Sequence, residues 1–323
     1  MISLERKLDL PGRVVAPCAL SIVATLYRSE RHLERFILAC QAAVAAIGVG
    51  SFELVFVDDG SPDQSVARLR QLRVNFPQIR IVELARNFGH HHAAIAGLQH
   101  ARGERVFLAD CDMEVDPAIL STFWKKFADG MADVVFGFQE TRKGGAIERV
   151  GGGTFWRLFN ALSDTQVTEN MVTERLMSRR YVDALLSLGD RNLFLAGMMA
   201  WTGFIQVGVP VAKSQRAEPA TYTPIKRARL LAQAVTSFSA KPLYASLWIG
   251  SIALVASAMY ASVILVHKLL HPDATLAGFP SLVALLAGMF GILMLSLGTI
   301  GVYIARIFVQ TQGRPIFIVK NIE

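Results

Sequence analysis

Carboxylates crowd one short stretch of this chain, Phe107-Leu-Ala-Asp110-Cys-Asp112-Met-Glu114-Val-Asp116-Pro117. Asp110, Asp112 and Glu114 stand at alternate positions, so an extended backbone would turn all three to one side. Such groups are hard oxygen donors, suited to Mg2+ or Mn2+ and, through the ion, to phosphate. A solvated acidic turn has the same spelling, so the surroundings must decide. The run Val106-Phe-Leu-Ala109 reads as a buried strand ending at Asp110, and Pro117 suits the first turn of a helix with Asp116 as its N-cap. Carboxylates at the C-terminal end of a strand lie where open α/β sheets bind ligands.

Two more stretches follow apolar runs in the same way. Asp58-Asp59-Gly60-Ser61-Pro62-Asp63 could accept hydrogen bonds from a base or a ribose, or could cap a turn. Arg86-Asn87-Phe88-Gly89 can offer a cation to a diphosphate. His90-His91-His92 stand together, but consecutive residues at a helix start face different ways. A phosphate contact or a helix cap therefore suits them better than a shared metal.

Strands and helices must alternate to position these stretches. Leu20–Ala24, Phe52–Val57, Ile79–Leu84 and the Val106 run read as strands. Glu30–Ile47, Gln64–Val74 and His91–His100 read as the helices between them. This β-α-β-α-β-α-β order predicts a mostly parallel sheet covered by helices. Val134–Gly137 and Val207–Val211 add two strands, and Arg179–Leu188 a helix.

The chain has 323 residues, 52% of them hydrophobic, with a mean hydropathy of +0.38, which is high for a soluble protein. The formal net charge of +7 suits anionic lipid or a phosphorylated substrate; no nucleic-acid module is legible, so nucleic acid is not an expected partner. Cys18, Cys40 and Cys111 show no paired spacing, which fits a reduced, cytosolic setting. Residues 1–17 carry charges throughout and no apolar core, so a signal peptide is not expected.

Two apolar segments, Leu243–Val266 and Pro280–Phe308, carry almost no charge, and each can span ~30 Å of hydrocarbon. Lys226, Arg227, Arg229 and Lys241 precede the first; Arg306, Arg314 and Lys320 lie at or after the end of the second. That bias predicts cytoplasmic ends. Lys226–Phe238 reads as a basic amphipathic helix suited to a membrane interface. The expected organisation is a cytoplasmic domain over 1–220, a juxtamembrane helix over 221–242, two transmembrane helices over 243–310 and a cytoplasmic tail over 311–323, all at the cell (inner) membrane.

The order and spacing of these pieces resemble glycosyltransferase family 2. The similarity is strongest to its polyprenyl-phosphate group, the relatives of dolichol-phosphate mannose synthase and the bacterial undecaprenyl-phosphate sugar transferases. The resemblance runs from about Leu20 to Val319 and includes Arg157-Leu-Phe-Asn160, Arg175-Leu-Met177, Thr236-Ser-Phe-Ser239 and Gly313-Arg-Pro315. It implies a GT-A (Rossmann-like) α/β domain with a C-terminal two-helix transmembrane hairpin. It also implies a nucleotide sugar as donor, a UDP-sugar being favoured, Mg2+ or Mn2+ as cofactor, and a polyprenyl phosphate lipid as acceptor.

On this resemblance the donor side comprises Thr25, Tyr27, Glu30, Asp58, Asp59, Arg86, Asn87, Gly89 and Asp110. The metal would fall to Asp110, Asp112 and Glu114, and the acceptor phosphate to Arg142, Arg149 and Arg175. Asp112 and Glu174 are the catalytic candidates. Thr173 stands where some relatives place the Asp proposed as base, and Glu174 is the adjacent carboxylate. The first loop, Thr25-Leu-Tyr-Arg-Ser29, departs from the usual Pro-x-Tyr-Asn-Glu. Alternatives are a transferase that extends a lipid-linked glycan or polysaccharide, and a non-catalytic membrane scaffold. Gln139-Glu-Thr-Arg142 lacks the following Trp of processive synthases and lies in the wrong region. A homo-oligomer is left open.

Overall fold

The computed structural model describes residues 18–130, 132–140, 156–213, 232, 234–271 and 278–323. Arg142, Arg149, most of the basic stretch before the first apolar segment, and residues 272–277 lie outside the described residues.

Four strands form the centre of the sheet: β1 (Leu20–Leu26), β2 (Phe52–Asp58), β3 (Ile79–Leu84) and β4 (Arg105–Asp110). They run parallel in the order β4-β1-β2-β3. Being covered on both faces, they are spelled as nearly continuous apolar runs. α1 (Leu33–Ile47) and α2 (Ser65–Asn75) connect the first three, and α3 (His90–His100) leads back to β4. α1 buries Leu33, Phe36, Ile37, Cys40, Ala43 and Val44 at helical spacing and stops at Gly48, whose φ of +67° is left-handed.

α4 (Ile119–Ala128) packs against α1 on one face of the sheet. Asp116 Oδ1 accepts the Ala118 N–H at 2.9 Å ahead of it, and the missing N–H of Pro117 costs the helix nothing. On the other face lie α3, α5 (Arg179–Ser187) and α6 (Leu195–Trp201), around Val23, Val57, Leu108 and Met177.

The sheet extends beyond this centre. β5 (Val134–Phe138), β6 (Met171–Ser178) and β7 (Gln206–Pro210) continue it past β4 in the order β7-β5-β6-β4. β6 runs antiparallel to both β4 and β5. On the far edge β8 (Val319–Ile322) pairs antiparallel with β3. Val319–Ile322, within the stretch read as a tail, are thus part of the sheet.

Between these lie two long helices, α7 (Lys241–Leu270) and α8 (Phe279–Thr311). They contain segments of 27 and 24 residues whose most apolar 18-residue stretches have mean hydropathies of 2.2 and 2.0. Their apolar side chains point outward: Leu254 is 71% exposed and Leu295 75%. A helix buried in a soluble core would hide these residues, so the pair is consistent with a membrane-anchoring hairpin. The domain holds both of its near ends. Lys241 Nζ donates to Ala161 O at 3.2 Å and Ser163 O at 3.1 Å, and the Arg191 N–H donates to Gln310 Oε1 at 3.0 Å, while Tyr303 Oη ties α8 to the start of α7 through Ser239 O at 2.7 Å.

Candidate active site

Strand order reverses between β1 and β4, since β2 and β3 lie on one side of β1 and β4 on the other. A crevice opens outside the C-terminal ends of strands at such a point. Thr25 is opposite Asp110 in the β1–β4 register, and Leu26 is opposite Asp58 in the β1–β2 register. Register alone therefore brings the Asp58 and Asp110 stretches to one edge.

Asp110 is the last residue of β4 and half-buried. The chain then turns, and Met113 takes a left-handed φ of +62°. Asp110, Asp112 and Glu114 do not share one side of an extended strand, which corrects the reading from their alternation. Asp112 stands at the solvent edge, where its Oδ1 accepts the Glu114 N–H at 3.0 Å. Its carboxyl is raised above the ordinary value first by desolvation, with Asp110 and Glu114 adding repulsion. Glu114 turns instead to Lys213 Nζ, just beyond β7, and forms an ion pair with it.

Glu174 completes the cluster from β6. It is 2% exposed, and its Oε2 has no hydrogen-bond partner among the described residues. Burial, and then the charge of Asp110, push its carboxyl up to about 8. An orphaned buried carboxylate oxygen is costly and points to a partner supplied from elsewhere.

Around Asp110 the N-terminus of α3 supplies His90. Its Nδ1 lies 3.0 Å from Thr25 Oγ1 and 3.8 Å from Asp110 Oδ1. His91 does not share this role. Burial, followed by the neighbouring His90, lowers it to about 4, and its Nδ1 lies 3.5 Å from Leu193 O. The three histidines thus diverge.

The donor-side candidates form a second group. Asp58 is buried and accepts the Ser61 N–H at 3.2 Å; desolvation raises its pKa. Asp59 faces another way, accepting the Phe88 and Gly89 N–H groups at 2.6 and 2.8 Å. Its charge therefore positions the Arg86–Gly89 loop. Ser61 Oγ accepts the Arg28 N–H at 3.2 Å and Ser65 Oγ the Ser29 N–H at 3.1 Å, which ties the Tyr27–Glu30 loop to the Asp58 loop. Tyr27 is 46% exposed with the Arg28 guanidinium 5.5 Å from its ring centre, and Glu30 is exposed. Arg86 and Asn87 are exposed, and the Arg86 guanidinium lies 4.1 Å from the centre of the Phe88 ring.

Gly60 makes the close approach between these loops possible. Its φ is +67°, and an added Cβ would lie 2.6 Å from Asn87 N and 2.7 Å from Arg86 C. Gly60→Ala should cost roughly 2–4 kcal/mol from left-handed strain and backbone overlap together. Thermal unfolding measures the loss; a change below about 0.5 kcal/mol would contradict this packing.

Arg175 is not at the solvent edge. It is 5% exposed, its Nε donates to Thr173 O at 3.0 Å, its Nη2 to Val172 O at 3.0 Å, and its Nη1 meets Met199 Sδ. Desolvation lowers its pKa. The guanidinium is occupied by carbonyls of its own strand and by Met199.

Sequence reading missed Lys213. A lone lysine after a short strand has no motif, and its partner Glu114 lies 99 residues away. His90 carried a signal in the triplet at a helix start, though not its pairing with Thr25.

Hard oxygen donors suit Mg2+ or Mn2+, and Mg2+ is commonly held by one or two carboxylates with water and phosphate completing the shell. Asp110 and Asp112 fit that description, and the orphaned Glu174 oxygen lies in the same cluster. Glu114, paired with Lys213, does not contribute as placed. Among the described residues no group of three His, Cys, Asp or Glu side chains is arranged as a ready-made metal site.

Fold and site together define an α/β, Rossmann-like domain of the GT-A type, with carboxylates at the switch point and a C-terminal pair of long apolar helices. A family model described as glycosyl transferase family 2 matches residues 21–186. A Mycobacterium tuberculosis (strain CDC 1551 / Oshkosh) relative named under putative glycosyltransferases is 37% identical over 94% of this chain and 88% of its own. The uncharacterized glycosyltransferase YkcC of Bacillus subtilis (strain 168) is 32% identical over 84% of each. The bactoprenol glucosyl transferase of Shigella phage SfV is 31% identical over 83% of this chain and 88% of its own. The chain belongs to glycosyl transferase family 2, with distant homology to bactoprenol sugar transferases.

Proposed function

We propose that this protein is a membrane-anchored, metal-dependent inverting glycosyltransferase. It moves a sugar from a nucleotide-diphosphate sugar, a UDP-sugar being favoured, to a polyprenyl phosphate such as undecaprenyl phosphate at the cytoplasmic face. One observation carries the reading: the Asp110–Asp112 turn sits at the switch point of a domain that grips both near ends of an exposed apolar hairpin, through Lys241 at the first and Arg191 at the second. The bactoprenol transferase relatives support the lipid acceptor.

In the reaction a phosphate oxygen of the lipid attacks the anomeric carbon from the face opposite the diphosphate. The new C–O bond forms as the bond to the diphosphate breaks, and the nucleoside diphosphate leaves with that electron pair. A divalent cation held by Asp110 and Asp112 would neutralise the leaving charge. Arg86, exposed at the end of β3, would meet the diphosphate from the other side, with Asp59 holding its loop. Thr25, Tyr27, Glu30 and Asp58 would surround the nucleoside. Lys213 offsets the negative charge of the cluster.

A base is not essential in this scheme. The acceptor phosphate, with a second pKa of ~6, is already largely dianionic at neutral pH. Glu174, held largely protonated by its burial, would donate a hydrogen bond more readily than accept a proton. Arg142 and Arg149 are the remaining candidates for the acceptor phosphate, with Arg175 occupied by carbonyls of β6.

Membranes containing the protein, incubated with labelled nucleotide sugars and then extracted for lipid, test the reading. One donor should yield a labelled lipid that is lost on chelation. No labelled lipid from any donor would refute it.

Topology follows from the same contacts. The start of α7 and the end of α8 both bind the domain, so a spanning hairpin would leave them on the domain's side. A cysteine introduced at Ala274 of a Cys18→Ser background should react with an impermeant thiol reagent on intact cells, the native Cys40 and Cys111 being buried. Reaction only after permeabilisation would contradict this orientation.

A further inference from the structure

Two parts of the molecule with separate tasks, the second long helix and the Arg86 loop, are joined by a continuous set of contacts. The loop between α5 and α6 holds the end of α8. Arg191 donates through Nε to Arg314 O at 2.9 Å and through Nη1 to Gln310 O, and its N–H donates to Gln310 Oε1 at 3.0 Å. Gln310 Nε2 returns a bond to Gly189 O at 3.2 Å, and Asn192 exchanges bonds with Arg306 at 3.0 and 3.2 Å. Positions 306 and 310 are four apart on one face of the helix end, and Arg314 lies just beyond it, so the contacts fix both the last turns of α8 and the start of the segment that follows.

From Arg314 the chain runs directly to the candidate site. Ile316 and Phe317 pack on the same core cluster as Phe88 and Leu193. The Ala85 N–H then donates to Ile318 O at 2.9 Å, next to the Leu84–Val319 pair that opens β8. Ala85 is the residue before Arg86. At its far end the strand is pinned by Arg70, which bonds both Glu83 and Glu323. Among the described residues no other strand pairs with this edge of β3.

We propose that Arg191 is a positioning residue for the donor diphosphate. By fixing the end of α8 it sets segment 313–318 against Ala85, and that segment sets Arg86. The apolar hairpin thereby serves the site as well as anchoring it. A domain detached from its hairpin would lose the brace on the loop that carries the cation. This inference rests on the reading of Arg86 as a diphosphate ligand.

The test uses the full chain in detergent or nanodiscs. Arg191→Ala should weaken UDP binding about tenfold and raise the donor KM by a similar factor. Uridine binding and kcat should change less than about twofold. Arg191→Lys, which can keep one bond to a carbonyl of α8, should fall between. Hydrogen exchange should accelerate at residues 85–89 while β1 and β2 stay protected. Gln310→Ala, which removes the side-chain bonds from the helix side, should give the same local signature with a smaller, roughly threefold, effect on UDP. Equal UDP affinity in Arg191→Ala and wild type would overturn the positioning role while leaving the function above intact. A uniform rise in exchange across the sheet in both variants, with no selective change at 85–89, would overturn it too. Failure of the wild-type protein to bind either UDP or GDP would instead refute the donor reading, and this inference with it.

Discussion

Asp112→Ala is expected to lower transfer by about 10²–10³-fold with little change in stability. The residue follows the end of β4 at the solvent edge, and the one bond it accepts, from the Glu114 N–H at 3.0 Å, is local to the turn. Nothing in the core depends on it. In the proposed reaction its task is to hold positive charge against the departing diphosphate, an interaction that would strengthen as the bond breaks. Losses of that kind appear in kcat more than in donor KM. The comparison is kcat and the unfolding temperature of variant and wild type in the same detergent. An active site that tolerates the change within tenfold would remove Asp112 from the chemistry. Full wild-type activity in excess chelator would remove the cation as well.

Glu174→Gln should make the protein more stable, and the gain should depend on pH. In the folded chain burial raises this carboxyl from 4.5 to about 8. Between those values the folded protein keeps a proton that the unfolded chain has released. Wild-type stability therefore falls as pH rises through this window and levels off above about 8. Gln is close in shape to the neutral acid and has no proton to lose, so the variant escapes that slope. In chelator the two proteins should be about equally stable near pH 5. By pH 8 to 9 the variant should lead by a few kcal/mol, since each tenfold difference in proton affinity between the folded and unfolded chain is worth ~1.4 kcal/mol. A melting series from pH 5 to 9 measures this. A difference independent of pH would show that Glu174 is ionised as readily in the folded chain as in the unfolded one. Turnover should fall tenfold or less, below the ~10²–10⁴-fold losses typical of a lost general base. Stability given up at one buried carboxyl is a common mark of a functional site.

The central sheet was legible because β1 to β4 are buried on both faces and so are written as apolar runs separated by turn residues. Once the β-α-β order is read, the meeting of Asp58 and Asp110 at one edge follows from parallel register. β6 was not legible. Its centre, Thr173-Glu174-Arg175, places two charges where a strand between two layers should be apolar. They are tolerated because Arg175 is bonded to carbonyls of its own strand and Glu174 lies close to neutral. β8 was hidden for a different reason: Val319–Ile322 is four residues long and carries a lysine and an asparagine, and it pairs with β3 more than 230 residues earlier. Likewise Asp59 and Glu114 are acids whose type suggested ligands, yet their nearest partners are backbone amides and Lys213. Residue type and spacing identified the cluster; which carboxylate faces inward depends on contacts across the sheet that no local pattern encodes.

The chemical identity of the product bears most directly on the proposed activity. Purified full-length protein in nanodiscs should be given one labelled UDP-sugar, polyprenyl phosphate and Mg2+ or Mn2+, and the extracted lipid examined by mass spectrometry. The expected product is a lipid heavier than the acceptor by one sugar residue, carrying a single phosphate and the opposite anomeric configuration to the donor, and absent from Asp112→Ala. Sugar released only as the free monosaccharide, or found on a lipid-linked glycan with the polyprenyl phosphate untouched, would contradict it.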